Sequence, residues 1–223
     1  MHTLLACLLS AALTSAAPAP APSPVAPKVA KPGADPVDAL PRLAEDASKA
    51  RDAAGRGAWQ EAQATLAQSG PKLDALRRGV DNEVWLRARS NWVAARLAAA
   101  QHDALGAQLA ANHLAQDLIE LYRDFQPTTL TEAMQLVALL HEVRLQTLAE
   151  EPNRARASMA TAQLVWFQLR QADTVAHRKP FLLFDAELKD AAMSLGREPE
   201  KVRAALSRAI IGATELQQTY FVR

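Results

Sequence analysis

The chain has 223 residues and a formal net charge of +1, from 25 basic and 24 acidic side chains. No run of Lys and Arg with interleaved aromatic residues occurs, so the composition argues against a nucleic-acid partner. Hydrophobic residues make up 49% of the chain but aromatic residues only 5%. Most of the hydrophobic residues are Ala and Leu, which favours helices over sheets.

The first 17 residues resemble a signal peptide. The apolar run from Leu4 to Ala17 is too short to span a bilayer, and small residues suited to cleavage end it. Cleavage would place the protein in the periplasm or outside the cell, and the mature chain would have no cysteine. Thiol chemistry, thiolate metal ligands and disulfides would then be excluded.

A lipid-anchored form is the alternative. Leu4-Leu5-Ala6-Cys7 resembles a lipobox, whose cysteine becomes lipidated. The apolar run follows Cys7 instead of preceding it, which favours a cleaved, soluble protein.

Residues 18–36 form a linker rich in Pro and Ala. Such a segment buries too little surface to fold, so we expect an extended, polyproline-like spacer. A proline-rich motif bound by a partner is the other interpretation.

Residues 37–223 have the pattern of a single all-α domain. Turn signals at Gly55-Arg56-Gly57, His102-Asp103, Glu151-Pro152 and Arg197-Glu198-Pro199 lie about 47 residues apart. They predict about four tandem antiparallel helical hairpins, which form a helical bundle or a short α-array. Breaks between hairpins are expected at Gly70-Pro71, with Gly79 as a further candidate, at Gln126-Pro127 and at Lys179-Pro180.

Two of the predicted helices are distinctive. Residues 104–125 carry apolar residues at steps of three and four, with a polar row on the opposite face. Residues 131–150 are apolar around most of their circumference, which predicts a helix at the centre of the domain.

Familiar catalytic and cofactor motifs are absent from the sequence. It contains no dinucleotide fingerprint, P-loop, Gly-x-Ser-x-Gly, His-Glu-x-x-His or paired Glu-x-x-His pattern. We therefore predict a protein that is not an enzyme and that works by binding, without a resident cofactor. General-base catalysis by His141 with Arg144 polarising a substrate is a weaker alternative.

One candidate metal site lies on the polar row of residues 104–125. His113, Asp117 and Glu120 place imidazole and carboxylate donors on one helical face, as a Zn²⁺ or Mn²⁺ site requires. The other interpretation of this row is a solvated face. A metal or haem site with His141 and either Met134 or Met159 as ligands is a related alternative.

Polar side chains that interrupt apolar helical faces form the candidate ligand site. They are Trp85, Arg89, Trp92, Arg96, His141 and Arg144. Buried charges need partners, so the arginines must meet Trp rings, carboxylates such as Asp173 and Asp185, or a ligand. A cavity with these residues would accept an anionic or carboxylate-bearing small molecule.

Together these features predict an exported cell-envelope protein that binds a protein partner or a small ligand. The competing prediction is a metal- or haem-binding bundle in envelope metal or redox homeostasis.

Overall fold

The computed structural model describes residues 35–172 and 179–221, with side chains for 35–172 and 181–220, and these residues contain eight helices and no strand. The helices are α1 (Pro36–Gly55), α2 (Trp59–Leu76), α3 (Asn82–Ala100), α4 (Ala104–Phe125), α5 (Thr129–Leu148), α6 (Pro152–Ala172), α7 (Lys179–Ser194) and α8 (Pro199–Phe221). The prediction of an all-α protein is confirmed. The predicted signal peptide and all but the last two residues of the predicted linker lie outside the described residues.

Aspartate is the N-cap residue of three of the first four helices. Asp35, Asp81 and Asp103 each accept a hydrogen bond from a backbone N–H of the first helical turn, at 2.9–3.0 Å. Each carboxylate satisfies a donor that the helix leaves unpaired, and its charge suits the positive end of the helix dipole.

Positive-φ residues mark four of the turns between helices, at Gly57, His102, Glu150 and Gly196. His102, at φ 58°, occupies a region that residues with a Cβ rarely adopt. Its ring stacks on Trp59 at a centroid distance of 4.9 Å, so the two turns contact each other.

The helices pack as two successive groups of four with the same pattern of contacts. In the first group α1 packs on α2 and α4, and α3 packs on α2 and α4. In the second group α5 packs on α6 and α8, and α7 packs on α6 and α8. Each group has its own core, and both cores consist mainly of Leu and Ala with several aromatic residues.

Helix α5 joins the two groups. It contacts α4 as well as α6 and α8, and it contributes Met134 and Ala138 to the first core and Leu136 and Leu140 to the second. Its buried positions surround the helix axis, as the apolar pattern of residues 131–150 predicted.

The break predicted at Gly70-Pro71 is wrong, because α2 continues through both residues to Leu76. Proline has no backbone N–H, so the carbonyl of Ala67 lacks its helical hydrogen bond to residue 71. Pro71 and Ala67 are both exposed, and this carbonyl can therefore bond to water. Gly70 is required for packing, because a Cβ there would overlap the indole ring of Trp92. The chain leaves the helix after Leu76 and turns near Gly79.

None of the helices in the described ranges is both long and apolar enough to cross a membrane.

Candidate functional site

A groove of about 1060 Å³ lies between helices α1, α4, α5 and α8. Helix α1 lines it from Pro41 to Arg56, a span of roughly 22 Å at the helical rise per residue. One face of α5 lines it with residues at steps of three and four: Met134, Val137, Ala138, His141, Arg144 and Leu148. The groove therefore lies where the two groups of helices meet.

The charged side chains that line the groove are mainly basic. They are Arg51, Arg56, Arg144 and Arg203, with Glu45 and Asp52 as the acidic members. Arg56 pairs with Glu61 at 3.2 Å and Arg203 with Glu200 at 2.8 Å, so both are neutralised locally.

Arg51 is buried and fully engaged. Its side chain is only 4% exposed, and its Nε donates to Asp52 at 2.9 Å. Its Nη1 donates to the side-chain oxygen of Asn112 at 3.1 Å. This arginine is thus held by neighbours on α1 and α4.

Arg144 differs from the other three arginines of the groove. Within the described residues it forms no ion pair, and its buried Nε has no hydrogen-bond partner. His141 lies one turn earlier on the same face, is 6% exposed, and has a buried Nδ1 without a partner. Buried polar groups in proteins nearly always pair with protein groups or ordered water, so each of these side chains requires a partner that the described residues do not supply. The same holds outside the groove for Arg89 Nη1, Arg123 Nε and Gln146 Oε1.

The pKa of His141 is lowered to about 2, mainly by burial and further by the positive charges of Arg51 and Arg144. Its ring is therefore neutral at physiological pH. Burial and the charge of Arg51 also lower the pKa of Arg144, against an opposing effect of Asp52. A guanidinium keeps its proton in proteins, so Arg144 supplies an unpaired positive charge beside a neutral imidazole.

A polar network connects the floor of the groove to the α4–α5 junction. Asn112, fully buried on α4, donates to Glu142 of α5 at 2.8 Å and to the backbone carbonyl of Ala138 at 3.1 Å. Glu142 also accepts from Gln146 at 2.8 Å and lies 3.0 Å from His113. The chain Arg51–Asn112–Glu142 therefore joins α1, α4 and α5 through buried groups.

Burial raises the pKa of Glu142, but the hydrogen bond and charge of His113, with Asn112 and Gln146, outweigh it and lower the pKa overall. The pKa of His113 is raised, chiefly by its hydrogen bond to Glu142. The two groups therefore stabilise each other as an ion pair.

The row proposed as a metal site is divided between two partners. His113 faces Glu142, whereas Asp117 and Glu120 both pair with Arg87 of α3. Asp117 is buried, and it accepts a further hydrogen bond from Asn91 at 2.7 Å. His113 and Glu120 are exposed, as the alternative interpretation of a solvated face predicted, whereas Asp117 is buried against α3. Among the described residues, no group of three or more His, Cys, Asp or Glu side chains is placed to hold a metal ion.

The six residues of the predicted ligand site occupy two separate places. His141 and Arg144 line the groove, whereas the other four lie on α3, away from it. Arg89 pairs with Asp74 at 3.0 Å, and both Arg89 and Arg96 lie over the ring of Trp92, at 4.1 and 4.8 Å. The cation–π contacts expected from the sequence are therefore present, and they occupy the α3 arginines.

The predicted carboxylate partners and methionine ligands lie in other surroundings. Asp185 accepts hydrogen bonds from Trp166 and Arg170 of α6, each at 2.9 Å, and is therefore not the partner of the α3 arginines. Asp173 lies outside the described residues. Of the two candidate methionine ligands, Met134 lines the groove near His141, and Met159 is buried in the second core.

Three residues of this site were not predicted from the sequence: Arg51, Asn112 and Glu142. Arg51 interrupts the stripe of Ala47, Ala50 and Ala54, and such an interruption was the signal that identified His141. Asn112 and Glu142 gave no comparable signal, because their burial depends on the contact between α4 and α5.

No protein-family model matches the chain, and neither curated proteins nor solved structures show significant similarity to it.

Replacing Glu142 with Gln should destabilise the protein by about 3 kcal/mol, because the amide offers donors where His113, Asn112 and Gln146 already donate. Glu132→Gln is the matched control on the same helix, since Glu132 contributes only a partly exposed pair with Arg123. Its effect should stay within about 1 kcal/mol. Urea unfolding at pH 7 measures both, and equal effects would contradict the role of the network.

Replacing His141 with Gln should flatten the pH dependence of stability below pH 6.5. The unfolded chain binds a proton at His141 near pH 6.5, whereas the folded chain does so only near pH 2. The wild type should therefore lose up to about 1.4 kcal/mol per pH unit more than the variant as pH falls from 6.5.

His113→Gln is the control with the opposite sign. The raised pKa of His113 contributes stability that is present below pH 6.5 and is lost as pH rises through that raised value. Urea unfolding between pH 4.5 and 8 separates the two histidines. Parallel curves for wild type and His141→Gln would show that His141 is not kept neutral by the fold.

Proposed function

We propose that the protein is an exported, non-enzymatic helical protein that binds a small ligand through an anionic group in the α1–α4–α5–α8 groove. The observation that carries this proposal is the pair of buried nitrogens without a hydrogen-bond partner, Arg144 Nε and His141 Nδ1, on the α5 face of that groove.

The charges of the groove support a ligand with an anionic group. The groove holds more basic than acidic side chains, and Arg144 is the lining arginine that its described neighbours leave unpaired. A carboxylate can accept two parallel hydrogen bonds from one guanidinium, which makes it the best match for Arg144. The anion would also offset the repulsion that Arg144 experiences from Arg51.

Of the two kinds of partner predicted, the small ligand is better supported. His141 is 6% exposed, so the group that completes its hydrogen bonds must reach the floor of the groove. The volume of the groove, about 1060 Å³, is of the size usual for small-molecule sites, and more than half of its lining residues are polar or charged, which suits a polar ligand.

Four tandem hairpins with a period near 47 residues provide the framework in this proposal. The positive-φ residues at 57, 102, 150 and 196 support this proposal, since each lies at a turn between two consecutive helices that pack on each other.

Export is supported by the apolar segment from Leu4 to Ala17 and by the proline-rich residues after it. The mass of the protein isolated from the envelope of its own cells should correspond to a chain that begins near residue 18. A lipid-modified Cys7 would identify the anchored alternative, and an intact N-terminus in a cytoplasmic fraction would contradict export.

Arg144→Gln should abolish binding of a small carboxylate to the groove. Titration with benzoate should shift the ¹H–¹⁵N signal of Arg144 Nε in the wild-type protein, and benzamide, its neutral counterpart, should bind at least tenfold more weakly. Arg78→Gln is the matched control, because Arg78 is exposed and does not line the groove.

Equal binding of benzoate and benzamide would contradict an anion site. Unchanged benzoate binding by Arg144→Gln would do the same.

A further inference from the structure

Resting on the proposed anion site, we infer that the ligand is a monocarboxylate that carries several hydroxyl groups, the chemistry of a sugar acid. Its carboxylate binds at Arg144, and its hydroxyl groups bind neutral polar side chains on the two sides of the groove.

Helices α1 and α8 form the two sides of the groove, because the helix contacts run from α1 to α4, from α4 to α5 and from α5 to α8. Uncharged polar side chains line both of these sides. Helix α1 contributes Ser48, and α8 contributes Ser207, Thr214, Gln217 and Gln218. Gln218 follows Ser207 by eleven residues, or roughly 16 Å along the helix axis. Hydrogen-bonding groups are therefore distributed along the groove.

Most of these side chains are free to bind a ligand. Within the described residues, four of them form no side-chain hydrogen bond: Ser48, Ser207, Gln217 and Gln218. Thr214 donates its hydroxyl proton to a backbone carbonyl of its own helix at 2.8 Å, and its oxygen can still accept. All five residues are half-buried or exposed, so a ligand in the groove can reach them.

The chemistry of these side chains matches hydroxyl groups. A hydroxyl group donates and accepts hydrogen bonds, and so do the side chains of Ser, Thr and Gln. A ligand with several hydroxyl groups therefore replaces the water around these side chains with equivalent hydrogen bonds. A hydrocarbon would remove that water and replace nothing, which costs free energy. Val137 and Ile210, which are partly buried, also line the groove and can contact the C–H groups of a sugar ring.

The groove suits a peptide carboxylate less well. Extended peptides bind along the free backbone of a sheet edge, and helical peptides bind through apolar anchors. The lining residues belong to helices, apart from Arg56 at the end of α1, so the backbone groups of the groove are largely paired. More than half of the lining side chains are polar or charged. Recognition therefore depends on individual polar side chains.

One negative charge suits the site better than two. Three of the four lining arginines have carboxylate partners: Asp52 for Arg51, Glu61 for Arg56 and Glu200 for Arg203. A carboxylate adds one charge against the one guanidinium that the described residues leave unpaired, and it can accept two parallel hydrogen bonds from it.

The test is calorimetric titration of the full-length protein with glucuronate, galacturonate and gluconate. Cyclohexanecarboxylate, a six-membered ring with the carboxylate and without hydroxyl groups, is one control, and glucose, which lacks the carboxylate, is the other. The best of the three sugar acids should bind at least tenfold more tightly than either control, because each control loses one half of the recognition.

A free sugar acid and the acidic end of a glycan share this chemistry. A disaccharide of glucuronate and glucose distinguishes the two sources. Tighter binding of the disaccharide than of glucuronate would identify a glycan end, and equal or weaker binding would identify a free sugar acid.

Two threonines of α8 provide matched variants. Thr214 and Thr219 each donate to a backbone carbonyl earlier in the helix, at 2.8 and 2.7 Å, but only Thr214 lines the groove. Thr214→Val should therefore weaken binding of the best sugar acid several-fold without weakening cyclohexanecarboxylate binding, and Thr219→Val should change neither. Gln217→Leu should act like Thr214→Val, with Gln68→Leu as its control, because Gln68 is exposed on α2 and does not line the groove.

The outcomes separate this inference from the proposed function. Arg144-dependent binding of cyclohexanecarboxylate that equals or exceeds that of all three sugar acids would overturn the hydroxylated ligand and leave the anion site standing. Absence of Arg144-dependent binding for every carboxylate would overturn both. Preference for the peptide N-acetylglycylglycine over all three sugar acids would overturn the sugar acid, and so would equal effects of the two threonine variants.

Discussion

The structure depends on the burial of two opposite charges, Arg51 and Glu142, with Asn112 between them. Neither charge could be buried alone, because an unpaired ion in the interior costs several kcal/mol. Asp52 pairs with Arg51, and His113 pairs with Glu142. Asn112 joins the two ions by donating to Glu142 and accepting from Arg51, and this requires α1, α4 and α5 to keep one arrangement. The contact between the two groups of helices is therefore specified by hydrogen bonds as well as by apolar packing.

This network also bears on why Arg144 lacks a partner. Asp52 and Asn112 bind Arg51, and His113 and Gln146 bind Glu142, so the carboxylates of the network are engaged elsewhere, and Arg144 Nε has no hydrogen-bond partner among the described residues. Burial, and to a smaller extent the charges of Arg51 and Arg144, lower the pKa of His141, which keeps a neutral ring next to a cation. A bound anion would relieve the same repulsion.

Helix formation followed from local patterns, which is why much of the fold could be predicted. The helix expected over residues 104–125 has these bounds in the structure, because Asp103 caps its start and Pro127 follows its end. Gly70-Pro71 misled the prediction, because the role of Gly70 is to admit the ring of Trp92 from α3. A glycine needed for close packing and a glycine that ends a helix look alike in a sequence.

The candidate site was predicted only in part. Periodicity identified His141 and Arg144, since both share a helical face with apolar residues such as Met134, Val137 and Leu148. The same reasoning selected Arg89 and Arg96, but both lie over the ring of Trp92 on the first group of helices. Arg89 also forms an ion pair with Asp74. The sequence by itself determined which residues form helices and which faces are apolar, because these depend on spacing along the chain. Only the tertiary structure decided which arginine lacks a partner, because that depends on side chains far apart in sequence, such as Arg51 and Asn112.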